Sequence, residues 1–363
     1  MKKRLLIFPF DLLSHYLRCI ALAERYRDWE ILFAHSEKYS GQVTAAGYAT
    51  FPVESFDANT VMDQAARFSF DWLNNSDILR VFGSQAQAIR NYRPQLVIGD
   101  TSPTLKMAAA TLSVPYVSLM NGYMSKYYTG LRAVPEIHPG HQHLQRLPPW
   151  LAEIITRLAE RAAFRSVHKP FRKLRAELGL PYLHTYLDEL EGDRNFICDR
   201  ADLFPQKQLP ASYEIIGPLM HSSSVNESAF LATLDLSKPT ICVSLGSSGN
   251  WKPLSFLSGQ PYAHLNIIAA GDTNTILQGS HIHHRTFVNL DQILPHCDFL
   301  VCHGGNGTIY EGLRHRKFML CLTSHFEQEW NARRIEELGL GKRINADPAG
   351  IFADQLKQAE VMN

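Results

Sequence analysis

Two histidines in this 363-residue chain stand where an imidazole can do chemistry. His303 opens the run His303-Gly304-Gly305-Asn306-Gly307-Thr308. Phe299-Leu300-Val301-Cys302 before it has strand character, and Ile309-Tyr310-Glu311-Gly312-Leu313 after it begins a helical pattern. A strand, a glycine-rich turn and a helix N-terminus let the backbone approach a ligand closely, and the first N–H groups with the helix dipole favour an anion. Thr308 adds a hydroxyl and His303 an imidazole, which suits a diphosphate better than a single carboxylate. His15, preceded by Ser14, follows the apolar run Leu5-Leu6-Ile7-Phe8 at the start of an amphipathic pattern reaching Tyr26. A neutral imidazole can take up a proton, and a helix N-terminus disfavours the imidazolium.

The elements that must position these residues alternate along the chain. Leu5–Phe8, Ser14–Tyr26 and Glu30–Ala34 read as strand, helix and strand, which implies α/β architecture with a parallel, doubly wound sheet. Ligands of such sheets sit at the carboxyl ends of the strands. Arg93–Asp100 is a further strand ending on a carboxylate, followed by a helix over about Pro103–Leu112 and a strand at Tyr116–Leu119. Asp100 therefore shares the crevice with His15; equally, it can cap the helix after Thr101-Ser102. A second strand series begins at Thr240–Leu245 and runs into Gly246-Ser247-Ser248-Gly249, again an anion-binding turn, with Ser247 or Ser248 expected opposite His303. Gln328–Leu338 reads as a helix stopped by Gly339.

Length suits two domains. The composition shift over LFPQKQLPASYEIIGPLMHSSS marks a linker at 204–224, leaving an N-terminal domain 1–203 and a C-terminal domain 225–363. Thirty-six Lys and Arg against 35 Asp and Glu give no bulk electrostatic case for nucleic acid. Six cysteines without a C-x-x-C pair read as reduced core residues of a cytoplasmic protein. No run of about 18 apolar residues occurs, so no transmembrane helix is expected. Between Asn121 and Pro149 an irregular stretch carries Tyr123, Tyr127, Tyr128 and the histidines His138, His141 and His143. No carboxylate or cysteine accompanies those histidines at ligand spacing, so no metal site is expected. Leu151–Leu178 reads as a basic helix; a solvated surface helix with its apolar residues turned to the core is preferred over one lying on an anionic membrane.

The Phe287–Asn331 block, about 45 residues long, resembles the nucleotide-sugar signature of family-1 glycosyltransferases of GT-B fold. These are the UDP-glycosyltransferase superfamily, and the likeness is greatest to its bacterial natural-product, macrolide-type branch. The resemblance implies two Rossmann-like domains facing across a cleft and a nucleotide-sugar co-substrate with no other cofactor. It assigns the diphosphate to His303 and Thr308, the ribose to Glu311, the transferred sugar to Glu327 and Gln328 and the base to Phe287, with Val288, Gly305, Asn306 and Gly307 also among the donor-binding residues. It makes His15 the general base, offers Asp100 as its partner, and turns Tyr123, Tyr127, Tyr128 and His138 toward the acceptor. The implied reaction is metal-free, inverting transfer from a UDP- or dTDP-sugar to a hydroxyl of a small-molecule acceptor. A lipid-directed hexosaminyltransferase, a catalytically silent nucleotide-sugar-binding partner and a nucleotide-sugar epimerase are the rivals. Two departures stand out. The family's Trp-x-Pro-Gln reads Phe287-Val288-Asn289-Leu290, which leaves the base open, and Glu327 replaces the commoner Asp, which leaves the sugar open.

Overall fold

The computed structural model describes residues 2–362 apart from Phe68, Ile137, 221–224, Ser247, Ser248 and 272–275. The chain forms two compact units, Met1–His221 and Ser222–Asn363, each built round one parallel sheet.

In the first unit the strands are β1 (Arg4–Pro9), β2 (Glu30–Ala34), β3 (Ala49–Phe51), β4 (Leu96–Asp100), β5 (Tyr116–Met120), β6 (Arg194–Ile197) and β7 (Tyr213–Ile215). They lie in the order β3-β2-β1-β4-β5-β6-β7. The apolar run of β1 is continuous because both of its faces are covered. Successive side chains point to opposite faces, so Leu6 and Phe8 join one core with Val97 and Leu105, while Leu5 and Ile7 join the other with Tyr16 and Ile98. The second unit has β8 (Thr240–Ser244), β9 (Asn266–Ala270), β10 (Ile282–Arg285), β11 (Phe299–Cys302), β12 (Phe318–Cys321) and β13 (Gly341–Arg343), ordered β10-β9-β8-β11-β12-β13. Both orders reverse once, between β1 and β4 and between β8 and β11. A crevice opens at the carboxyl end of such a reversal, because the connections on its two sides leave in opposite directions.

Two boundaries differ from expectation. The stretch 204–224 is not linker throughout: Tyr213–Ile215 pairs with β6 as the edge strand, in the register Asn195↔Tyr213 to Ile197↔Ile215. The 151–178 helix is two helices, Pro149–Val167 and Lys169–Glu177. They break at His168, which is wholly buried with Nε2 2.7 Å from Glu189, and Pro170 falls in the first turn, where its missing N–H is harmless. The tail forms the helix Pro348–Met362, which sets Phe352 and Leu356 into the core of the second unit.

Candidate functional site

The first reversal brings together the residues at the ends of β1 and β4. The helix Leu13–Ala23 follows β1 and places His15 in its first turn. Asp100, wholly buried, ends β4 with Oδ1 3.1 Å from His15 Nδ1. The helix after β4 begins only at Leu105 and takes no side-chain cap, so Asp100 does not cap it. Thr101 has φ 51°, a left-handed conformation unfavourable for a β-branched residue, and it turns the chain away directly after the carboxylate.

Arg18 completes the cluster and was missed by sequence reasoning. Its Nε and Nη2 fork onto both Asp100 oxygens, its Nη1 donates to Asn121 Oδ1, and Nη2 lies 3.1 Å from His15 Nδ1. Arg18 is only 8% exposed, a burial that Arg tolerates when its charge and donors are matched. Burial alone would raise the Asp100 carboxyl; the Arg18 charge, then His15, overcome that and hold it at about 2. Burial likewise opposes the Arg18 cation, but Asp100 outweighs it and raises Arg18 well above its ordinary value. The available signal was one arginine inside the apolar run Tyr16-Leu17-Arg18-Cys19-Ile20, three residues after His15 and so on its helix face. His15 thus has an anchored Nδ1 side, and its ring packs 5.7 Å from that of Phe10.

The second reversal joins the turns after β8 and β11. His303 lies between two glycines. A Cβ on Gly246, whose φ is 61°, would stand 2.9 Å from His303 Cε1, and one on Gly305 would overlap the imidazole itself. Gly304, at φ 83°, meets the Gln328 backbone and is held through its carbonyl by Asn331 Nδ2 at 2.9 Å. Asn306, Gly307 and Thr308 form the first turn of the helix Asn306–Arg314, which no side chain caps at Gly305. The turn therefore offers an anion the first helical N–H groups and the positive dipole end.

Burial pushes the His303 imidazolium down to about 4, against a weaker opposing contact with the Ser244 backbone. His325, also missed from sequence, is likewise held at about 4, by burial and then by the nearness of His303. Both rings are neutral at pH 7. Each has a buried Nδ1 with no hydrogen-bond partner among the described residues.

The other assigned residues are distributed as follows. Phe287 is half exposed, whereas Val288 is buried and belongs to the core. Glu311 is buried enough to raise its carboxyl, with Asp291 adding to the rise and Arg314 and His315 opposing it. Asp291, Glu311 and His315 place ligand atoms within 4.8 Å of one another and form the one cation-capable trio among the described residues. Glu311 is also the ribose residue of the resemblance, so the two uses compete. Glu327 lies in the first turn of the helix Phe326–Glu337, and Gln328 Oε1 already accepts from Ser324 N and Oγ at 2.8 and 2.9 Å. Ser247 and Ser248 lie outside the described residues.

The four acceptor-side residues are mostly engaged in packing. Tyr123 is buried edge-on against Phe204 and receives a hydrogen bond from Asn121, which links it to Arg18. Tyr127 packs on Tyr213 with ring centroids 5.0 Å apart, Tyr128 lies under the Arg132 guanidinium, and His138 Nδ1 accepts from the Gly140 N–H. Much of the aromatic content of this long loop pins it to residues 204–213.

No protein-family model matches the chain. It is 22% identical to a PGL/p-HBAD biosynthesis glycosyltransferase of Mycobacterium tuberculosis, over 95% of this chain and 82% of that one. Among solved structures, the glycotransferase of kitacinnamycin superposes with a TM-score of 0.70 at 17% identity, over 99% of this chain and 91% of that one. The spinosyn rhamnosyltransferase SpnG, complexed with thymidine diphosphate, gives 0.66 at 15% identity, with 99% and 91% covered. Fold and relatives define the class: the chain is a glycosyltransferase of GT-B fold. The likeness is to the natural-product glycosyltransferases of family 1, the group that the His303 block resembles.

Proposed function

We propose that the chain transfers a sugar from a UDP- or dTDP-sugar to a hydroxyl of an acceptor, with inversion at the anomeric carbon and His15 as general base. The observation that supports this most is the His15–Asp100–Arg18 cluster at the reversal of the first sheet. With Nδ1–H directed to Asp100, the lone pair of His15 lies on Nε2 and can take the acceptor proton. As the proton leaves, the acceptor oxygen bonds to the anomeric carbon and the bond from that carbon to the diphosphate oxygen breaks. One displacement from the opposite face inverts the centre. The charge released onto the diphosphate meets the Asn306–Arg314 helix N-terminus, the Thr308 hydroxyl and the His303 ring, an arrangement that stabilises a developing anion without a resident metal. The thymidine diphosphate bound by SpnG favours a thymidine or uridine donor. The acceptor is a small molecule or a lipid. All six cysteines are buried and unpaired, which suits the cytoplasm. Among the described residues no helix is long and apolar enough to cross a membrane.

Incubation with UDP- and dTDP-hexoses and a panel of phenols and aliphatic alcohols, in chelator, tests this by mass spectrometry and the anomeric coupling constant of the product. The expected result is acceptor-dependent glycoside of inverted configuration. Retained configuration, or donor isomerised without acceptor, contradicts the proposal.

A further inference from the structure

We infer that the outer face of the Pro149–Val167 helix is a docking surface for an anionic lipid membrane. This goes beyond the proposed reaction and does not depend on it. The sequence favoured turning the apolar residues of this helix to the core, but the structure leaves them outside. Trp150 is 65% exposed, Ile154 48%, Leu158 57% and Ile155 38%. Scattered exposed apolar residues are ordinary, whereas a contiguous row is not. Trp150, Ile154 and Leu158 follow each other at four-residue steps, and Arg161 and Arg165 continue the same ridge. At about 100° per residue these five fall within a sector of roughly 80°. Arg161 and Arg165 are exposed and form no ion pair among the described residues, and the same holds for Lys169 and Lys173 on the next helix.

The acids of the helix do not share that ridge. Glu153 pairs with Arg157 at 2.8 Å and Glu160 with the buried Arg132, both on the flank away from Leu158 and Ile155. The open half of the helix therefore combines an indole, three aliphatic side chains and uncompensated cations. That combination matches the interface of an anionic bilayer, where the apolar groups enter the acyl boundary, Trp sits at headgroup depth and phosphates neutralise the arginines. A second copy of the same face fits less well, because it brings its own arginines and no carboxylate to meet them.

The test is co-sedimentation of the full chain with phosphatidylcholine vesicles, with and without about 30% phosphatidylglycerol, over a salt series. The chain is expected to bind the anionic vesicles and to leave them as salt rises. Ile154→Glu with Leu158→Glu is expected to weaken binding by about tenfold or more, and Arg161→Gln with Arg165→Gln to remove the preference for anionic lipid. All four positions are exposed, so unchanged thermal unfolding of the variants serves as the folding control. Absence of vesicle binding by the parent chain, or binding untouched by the Glu pair, overturns the inference. A dimer in solution that the Glu pair converts to monomer also overturns it, by assigning the ridge to a second copy.

Discussion

Replacing His15 with Ala is expected to lower sugar transfer by about 10²- to 10⁴-fold while leaving nucleoside diphosphate affinity unchanged. The proton acceptor is lost, but His303 and its turn belong to a different sheet and are untouched. Arg18 separates the roles of its neighbours. Arg18→Met leaves Asp100 buried without its countercharge, and removing one partner of a buried pair costs about 3–5 kcal/mol. The Arg18→Met, Asp100→Leu pair is expected to recover much of that loss in thermal unfolding and to remain inactive, because His15 then has nothing to fix its tautomer. Asp100→Asn keeps the shape of the cluster, so its effect should fall on kcat rather than on donor affinity. Full activity in His15→Ala would remove His15 from the mechanism. Additive stability losses in the Arg18 and Asp100 variants would mean that the two are not coupled.

The second large effect is acid lability of the second unit. His303 and His325 fall from 6.5 to about 4 on folding. A histidine whose folded pKa is depressed binds its proton in the unfolded chain first. Stability is therefore intact above 6.5 and declines as pH drops from 6.5 to about 4. At about 1.4 kcal/mol per pKa unit, each histidine removes about 3 kcal/mol over that window, and together they remove a large part of the stability of an ordinary domain. Asp100 acts in a separate window: its carboxyl is depressed to about 2, so its contribution is lost only below the carboxylate range. Denaturant unfolding of the second unit between pH 7.5 and 4 should show the decline, and His303→Asn with His325→Asn should flatten it. A nucleoside diphosphate should flatten it as well, since an anion beside His303 raises that pKa. A pH-independent midpoint over this range would mean that the two rings are not held neutral by burial.

The sequence made the sheets legible because strands covered on both faces are continuous apolar runs, as in Leu5–Phe8 and Phe299–Cys302. The glycine turn was legible for the same kind of reason: Gly246, Gly304 and Gly305 each stand where a side chain would be strained or would strike His303 or Gln328. What was hidden is long-range. Arg18 gains its meaning only when Asp100, 82 residues away, arrives at the neighbouring strand end. Tyr213–Ile215 is too short and too polar to declare itself a strand, and only pairing with β6 makes it one. Tyr123, Tyr127 and Tyr128 pack on Phe204, Tyr213 and Arg132 and hold their loop in place, contacts that the sequence does not announce.

The His303 turn as a nucleotide site is tested by thermal unfolding with UDP, dTDP, GDP and ADP, each in chelator and with magnesium, for the parent chain and for Gly305→Ala. The variant keeps an ordinary φ of −68°, so its added methyl acts on the His303 ring rather than on the backbone. At about a hundred times its dissociation constant a ligand adds roughly 2.7 kcal/mol, a shift of several degrees. Stabilisation by UDP or dTDP in chelator is expected, with its loss in Gly305→Ala. No stabilisation by any nucleotide, or stabilisation that survives in Gly305→Ala, would contradict a nucleotide site at this turn.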